Sequence, residues 1–323
     1  MCTSIAKSGR IFCFGRNLDL EYSFGEKIVV TPRNWPISLK RAGTIEHHYA
    51  MVGMAGGSPD YPLYAEAANE KGLCMAGLNF PENAYYETRE EPGAENITPY
   101  ELIPWVLGTC SNVEEAEVLL RRLRLVAIPF CEGLPIAPLH WHIADRNRSI
   151  VLEPRKEGIQ ISENPAGVLT NNPPLDFHLT NLNNYLNLTA EFPQDRFGAE
   201  LKPFGQGMGS IGLPGDFSPV SRFVKAAFLR QHSVCGEEEY AEVTQFFHLL
   251  DAVAMVRGAV VTQEGNWDLT MYSCCIDADH GIYYYKTYEN NQICAVRMSD
   301  EDLEGTDLKT YELIREQQIR FQN

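Results

Sequence analysis

A chain of 323 residues, 44% of them hydrophobic, can bury one large core or two small ones. A formal charge of -16 and a pI near 5.0 exclude the basic face that nucleic acid or an anionic membrane surface requires. Nine cysteines without a C-x-x-C pair exclude zinc-ribbon and dithiol readings, and no apolar run approaches the ~18 residues of a membrane span.

The chain starts Met1-Cys2. If Met1 is removed, Cys2 carries a thiol and a free α-amine on one residue, a nucleophile with its own base. The amine's reference pKa is near ~8, so much of it is neutral at physiological pH. A second-position cysteine can also be an accident. "CTSIA" and "RIFCFGRN" read as strands joined by a tight "KSGR" hairpin. Cys2 then begins a sheet edge, with Arg16 and Asp19 just past the end of the second strand. There Arg16 could favour the thiolate and Asp19 could hold the amine. A turn rich in Gly, Asn and Asp is otherwise structural.

"KIVVTP", "YAMVGMA" and "GLCMAGLNF" are further strands, the last ending at Asn79. A helix is predicted from Thr98, with Glu101 closing a capping box, and a second from Ser111 with Glu114 in the same role. Strands "LHWHIAD", "SIVLEP" and "GIQIS" follow, and His140 and His142 share one strand face. A ligand pair is conceivable, but packing is the ordinary reading. Asn171 ends the run "VLT". Asn79 and Asn171 are either turn-starting asparagines or N–H donors for a developing oxyanion. The stretch 181–216 is polar and turn-rich, and so long that it reads as a functional loop or an interface arm.

Ser218-Pro219 opens a third helix. Arg222 lies near its start, the wrong end for the helix dipole, so something else holds it: an anion, the site, or solvent. "EEEYAEVTQFFHLLDAVAMV" is a fourth, amphipathic helix, and "DLTMYSCCID", "GIYYYKTY" and "QICAVRM" close the chain as strands. The order strands, helices, strands, helices, strands suits an α+β domain, two stacked antiparallel sheets with helices outside. There is no repeat, low-complexity tract or linker, so residues 1–323 read as one domain.

"MCTSIA", "FGRNLDLEYSFGEKIVVTPRNW", "NEKGLCMAGLNFPENAYY", "GVLTNNPPLDFHLTNLNNY" and "GQGMGSIGLPGDFSPVSRFVKAAFL" together resemble the choloylglycine hydrolases, the bile salt hydrolases of intestinal bacteria grouped with penicillin V acylases. The likeness runs from residue 2 to about residue 300. It implies an N-terminal-nucleophile hydrolase fold, an αββα four-layer sandwich. It implies loss of Met1 and six site residues: Cys2 as nucleophile and base, Arg16 and Asp19 beside it, Asn79 and Asn171 at the oxyanion hole, and Arg222. The substrate it implies is a glycine- or taurine-conjugated bile salt, with no metal, cofactor or nucleic acid partner. It further implies a cytoplasmic bacterial homotetramer in which 181–216 helps assembly. Asn79, where penicillin V acylases tend to carry tyrosine, favours the bile salt branch. Tyr22, Phe24, Met51, Tyr61 and Phe130 are pocket candidates. A class II glutamine amidotransferase also begins Met-Cys, but its "MCG" and "RGPD" are missing. Another N-acyl amide hydrolase, or an inactive sterol binder on the same scaffold, remains open.

Overall fold

The computed structural model describes residues 1–58 and 60–323. Strands such as Phe12–Leu20, Tyr61–Asn69 and Cys74–Asn79 are buried along nearly their whole length, so each has two faces to cover. Two antiparallel sheets stacked on each other, with helices over both outer faces, meet that need. This is the predicted α+β sandwich. In the first sheet, strands β1 (Cys2–Ser8) and β2 (Phe12–Leu20) form the predicted hairpin, with Cys2 opposite Leu18 and Ser8 opposite Phe12. The strand Trp267–Asp277 pairs with β2, followed by Ile282–Thr287 and Cys294–Arg297. β1 is not the edge, as the sequence suggested, because the short strand Val168–Leu169 pairs with it at Ser4 and Ile5. The second sheet runs Gly158–Glu163, Ser149–Arg155, Leu139–Ala144, Cys74–Asn79, Tyr61–Asn69, Met51–Ser58, Lys27–Thr31, Lys309–Glu312.

Helices α1 (Leu102–Thr109) and α2 (Val113–Leu120) cover the second sheet. Helix α3 (Leu175–Asn181) follows the Asn171 turn. Helices α4 (Pro219–His232) and α5 (Ala241–Asp251) cover the first sheet. Helix α4 starts where predicted, at Ser218, whose hydroxyl accepts from the Ser221 N–H. Helix α1 starts later than expected, at Leu102, although the Glu101 carboxylate does reach back to the Thr98 N–H at 2.9 Å. The second capping box is displaced by one residue: Asn112 accepts from the Glu115 N–H at 2.9 Å, and Glu115 from the Ser111 N–H at 2.7 Å. Ser and Asn are adjacent and cap equally well, so only the register of the buried Val113, Ala116 and Leu120 decides.

The 181–216 stretch has only two 3-10 turns, Leu182–Tyr185 and Met208–Ser210. It is ordered locally by the Asp195 carboxylate, which accepts from the N–H groups of Phe197, Ala199 and Leu201. Phe192, Phe197, Leu201 and Phe204 stand exposed on it.

Candidate active site

The site forms where β1 begins. Arg16 and Asp19 lie inside β2, not beyond it as expected. The Gly and Asn that would normally end a strand are covered here by α5. A Cβ on Gly15 would collide with the Cys274 carbonyl and the Phe246 ring, and the Asn17 amide donates to the Leu250 carbonyl at 2.8 Å. Alternation then sends Phe14, Arg16 and Leu18 into the layer between the sheets and leaves Asn17 and Asp19 on the α5 side.

Arg16 is buried at 1% exposure. Its Nη2 donates to the Cys2 sulfur, and its Nη1 donates to the Gly77 carbonyl at 2.6 Å. Its Nη1 also lies 3.6 Å from the Glu66 carboxylate. The charges of Cys2 and Glu66 outweigh its burial and raise its pKa further, so it is always a cation.

Asn171 lies next to Cys2 because it follows the strand paired with β1. Its Oδ1 accepts from the Cys2 N–H at 2.9 Å, and its Nδ2 donates to the Asn79 carbonyl at 2.7 Å. The Asn79 side chain is half-buried and makes no hydrogen bond among the described residues. Arg222 is 1% exposed, which rules out the solvated reading. It donates to Asn171 Oδ1 at 2.8 Å, to the Cys2 carbonyl and to the Thr3 hydroxyl. Burial pulls its pKa down, and Asp19 opposes that shift. Arg222 is therefore held by the start of β1 and by Asn171, against the helix dipole.

Asp19 is wholly buried, and burial raises its carboxyl pKa against the pull of Arg222, the terminal ammonium and the Thr270 hydroxyl. Thr270 donates to its Oδ1 at 2.6 Å, while its Oδ2 is buried without a partner. Thr270 reaches it because the Trp267–Asp277 strand bulges at Met271: Thr270 sits opposite Asp19, and Tyr272 opposite Leu18. With Met1 attached, the Met1 carbonyl accepts from the Asp19 N–H at 2.9 Å, and its ammonium lies 3.3 Å from Asp268. The Cys2 nitrogen is then a peptide N–H, and it becomes an amine only when Met1 leaves.

All six predicted residues thus converge. Sequence reading missed Glu66, Thr270 and Asp268. The available signal was Glu66 at an inward position of "YAEAANE", a lone charge between alanines. His140 and His142 are buried apart from the thiol. His142 bonds Ser4 and Ser149, each at 2.8 Å, and burial drives its pKa down to about 3. Met51 is not a pocket residue, since it is fully buried on the far side of the second sheet. Tyr61 and Phe130 each meet the Tyr100 ring edge-on in one aromatic cluster. A groove of about 830 Å³ lined by Glu87, Arg122, Arg124, Arg155 and Ile159 borders none of the six.

Residues 2–311 match the family model for linear amide C–N hydrolases of the choloylglycine hydrolase family. The chain belongs to the choloylglycine hydrolase family. It is 46% identical over 320 residues to the bile salt hydrolase/transferase of Lactiplantibacillus plantarum, covering 98% of each chain. It superposes on a mutant conjugated bile acid hydrolase from Clostridium perfringens with a TM-score of 0.93 at 42% identity, covering 100% of both. The penicillin V acylase of Agrobacterium tumefaciens shares the fold, with a TM-score of 0.76 at 21% identity over 96% of this chain and 90% of that one. The fold is that of the N-terminal-nucleophile hydrolases, and the protein is a hydrolase of linear amide C–N bonds. Among the described residues no helix is long and apolar enough to cross a membrane.

Proposed function

We propose that this choloylglycine hydrolase cleaves the amide between a bile acid and glycine or taurine, with Cys2 as its processed N-terminal nucleophile. The observation that carries the reading is the double hold on one residue: Arg16 touches the Cys2 sulfur while Asn171 Oδ1 lies 2.9 Å from the Cys2 nitrogen. Once Met1 is gone, sulfur and amine belong to one rigid residue at the start of a strand. The thiolate attacks the substrate carbonyl, and the oxyanion is met by N–H donors of Asn79 and Asn171. The C–N bond then breaks, and the Cys2 ammonium gives its proton to the departing amino group. Water, losing a proton to the same amine, attacks the thioester, and the C–S bond breaks to return the thiolate. Arg16 holds the sulfur. Asp19, with a carboxylate oxygen lacking a partner, holds the ammonium. Arg222 holds Asn171 and the Cys2 carbonyl.

The substrate class follows the names of the relatives and the asparagine at position 79. We also assign the protein to the bacterial cytoplasm, in keeping with nine free cysteines, and to a homotetramer. The six large apolar side chains exposed on the 181–216 arm, Leu186 and Ile211 with the four above, support the second point, since such a surface is a partner surface.

A substrate panel tests the proposal. Release of glycine or taurine from conjugated bile salts is expected to exceed release of phenoxyacetate from penicillin V. The reverse preference makes the enzyme a penicillin V acylase, and tight binding without product makes it an inactive sterol binder. Intact mass of the active enzyme should show Met1 absent, and fully active enzyme that retains it would exclude the terminal amine.

A further inference from the structure

The chemistry above uses Arg16 and leaves its second partner without a task. Glu66 is fully buried on the Tyr61–Asn69 strand, in the layer between the sheets. A carboxylate there is tolerated only when paired and hydrogen-bonded. The Tyr272 hydroxyl donates to it at 2.9 and 3.0 Å, the Tyr283 hydroxyl at 2.6 Å, and Cys274 Sγ lies 3.6 Å away. All three donors come from the opposite sheet, so the carboxylate is clasped across the layer. Its remaining neighbour is Arg16 Nη1 at 3.6 Å. The other end of that guanidinium, Nη2, touches the Cys2 sulfur. One cation thus stands between a fixed anion and the atom that must become one.

We propose that Glu66, held by Tyr272 and Tyr283, is a positioning residue that shares Arg16 with the Cys2 sulfur, fixing the guanidinium against it and tempering the field it exerts there. The inference rests on Cys2 as the nucleophile. The other charges near the thiol are the α-ammonium that Cys2 itself carries once Met1 is gone, Arg222 on the Cys2 carbonyl, and behind it Asp19 and Asp268. Cys274 stays a neutral thiol because burial pushes its pKa well up. Burial holds the Glu66 carboxyl pKa above its ordinary value, and Arg16 and the two phenols oppose that rise. The two phenol donors and Arg16 are the contacts that favour its charged form.

The test reads the sulfur directly. Iodoacetamide alkylation of Cys2 is followed against pH as the mass of the N-terminal peptide, in the wild type, Glu66→Gln and Glu66→Asp. Removing the carboxylate leaves the full charge of Arg16 facing the sulfur. The midpoint of Glu66→Gln is therefore expected to fall by about one pH unit. Its kcat is expected to fall roughly tenfold or more with KM little changed, because the interaction lost acts on the reacting group and not on substrate binding. Glu66→Asp should bring the midpoint back toward the wild type. A Glu66→Gln midpoint equal to that of the wild type overturns the proposal, whatever happens to stability. Should Glu66→Gln not fold, the Tyr272→Phe/Tyr283→Phe double variant removes the donors that hold the buried carboxyl ionised, so that it takes up a proton and the midpoint must fall as in Glu66→Gln; a midpoint that stays put overturns the proposal equally. No substrate enters this measurement, so its failure is separate from failure of the bile salt reading, which the panel decides.

Discussion

The two faces of the second sheet share the same strands and hold opposite contents. Toward α1 and α2 it presents Met75, Trp141, Ile143, Ile150 and Leu152, a mainly apolar surface whose buried Asn69 donates to the Leu107 and Cys110 carbonyls at 2.7 Å. Toward the first sheet it presents Glu66, His140, His142 and Glu153 among small residues such as Ala68 and Ala76. Both faces are equally dry. The inner one is tolerated because its polar groups find partners: His140 bonds the Thr170 carbonyl at 3.0 Å, and Glu153 accepts from the Leu175 N–H at 2.9 Å. One face of each strand supplies stability, and the other supplies geometry next to the nucleophile.

Four substitutions probe that division. Cys2→Ser, on the inner face, should lower turnover by about 10³-fold or more while the melting temperature stays within roughly 2–4 °C, checked by product release and thermal unfolding. A large loss of stability would mean the division fails at its centre. Trp141→Ala, on the outer face, should cost about 3–5 kcal/mol in urea unfolding and leave kcat per folded molecule unchanged.

His142 sharpens the comparison through pH. Its folded pKa of about 3 lies below the ordinary value of 6.5. The unfolded chain therefore binds a proton that the folded one refuses. Stability from this group is full above about pH 6.5 and is lost as pH falls toward 3, at roughly 1 kcal/mol per pH unit. In urea unfolding at pH 6.5 and 4.5, His142→Gln should show the shallower decline. Smallest is Asn112→Ala at the start of α2, expected to cost about 1 kcal/mol with activity intact.

The sequence made the β1–β2 hairpin legible through the period-two pattern on both sides of a Ser-Gly turn, and the α4 start through Ser218-Pro219. Other features depended on partners distant in the chain. The "GRNLD" stretch of β2 looked like a strand end because its covering residues, Phe246 and Leu250, are more than 200 positions away. Tyr61–Asn69 was missed because "YAEAANE" is rich in helix formers, and only burial on both faces makes it a strand. Helix α3 was missed because it is short and has no side-chain cap. Among the site residues, Cys2 was visible from its position and Arg222 from its conflict with the helix dipole. Asp19 drew attention only through its closeness to the hairpin, and Glu66 needs the other sheet to acquire any meaning. Asn79 and Asn171 looked like any asparagine that ends a strand.

The bulge at Met271 gives the strand Trp267–Asp277 two opposite parities. Before it, Thr270 turns to the α5 side with Asp19; after it, Tyr272 turns inward to Glu66. The arrangement is therefore written partly in arithmetic, as a count of residues between two side chains. A relative whose strand is one residue shorter could keep every one of these amino acids and still aim them at the wrong layer. Grafting this site onto another scaffold must transplant the irregularity together with the identities.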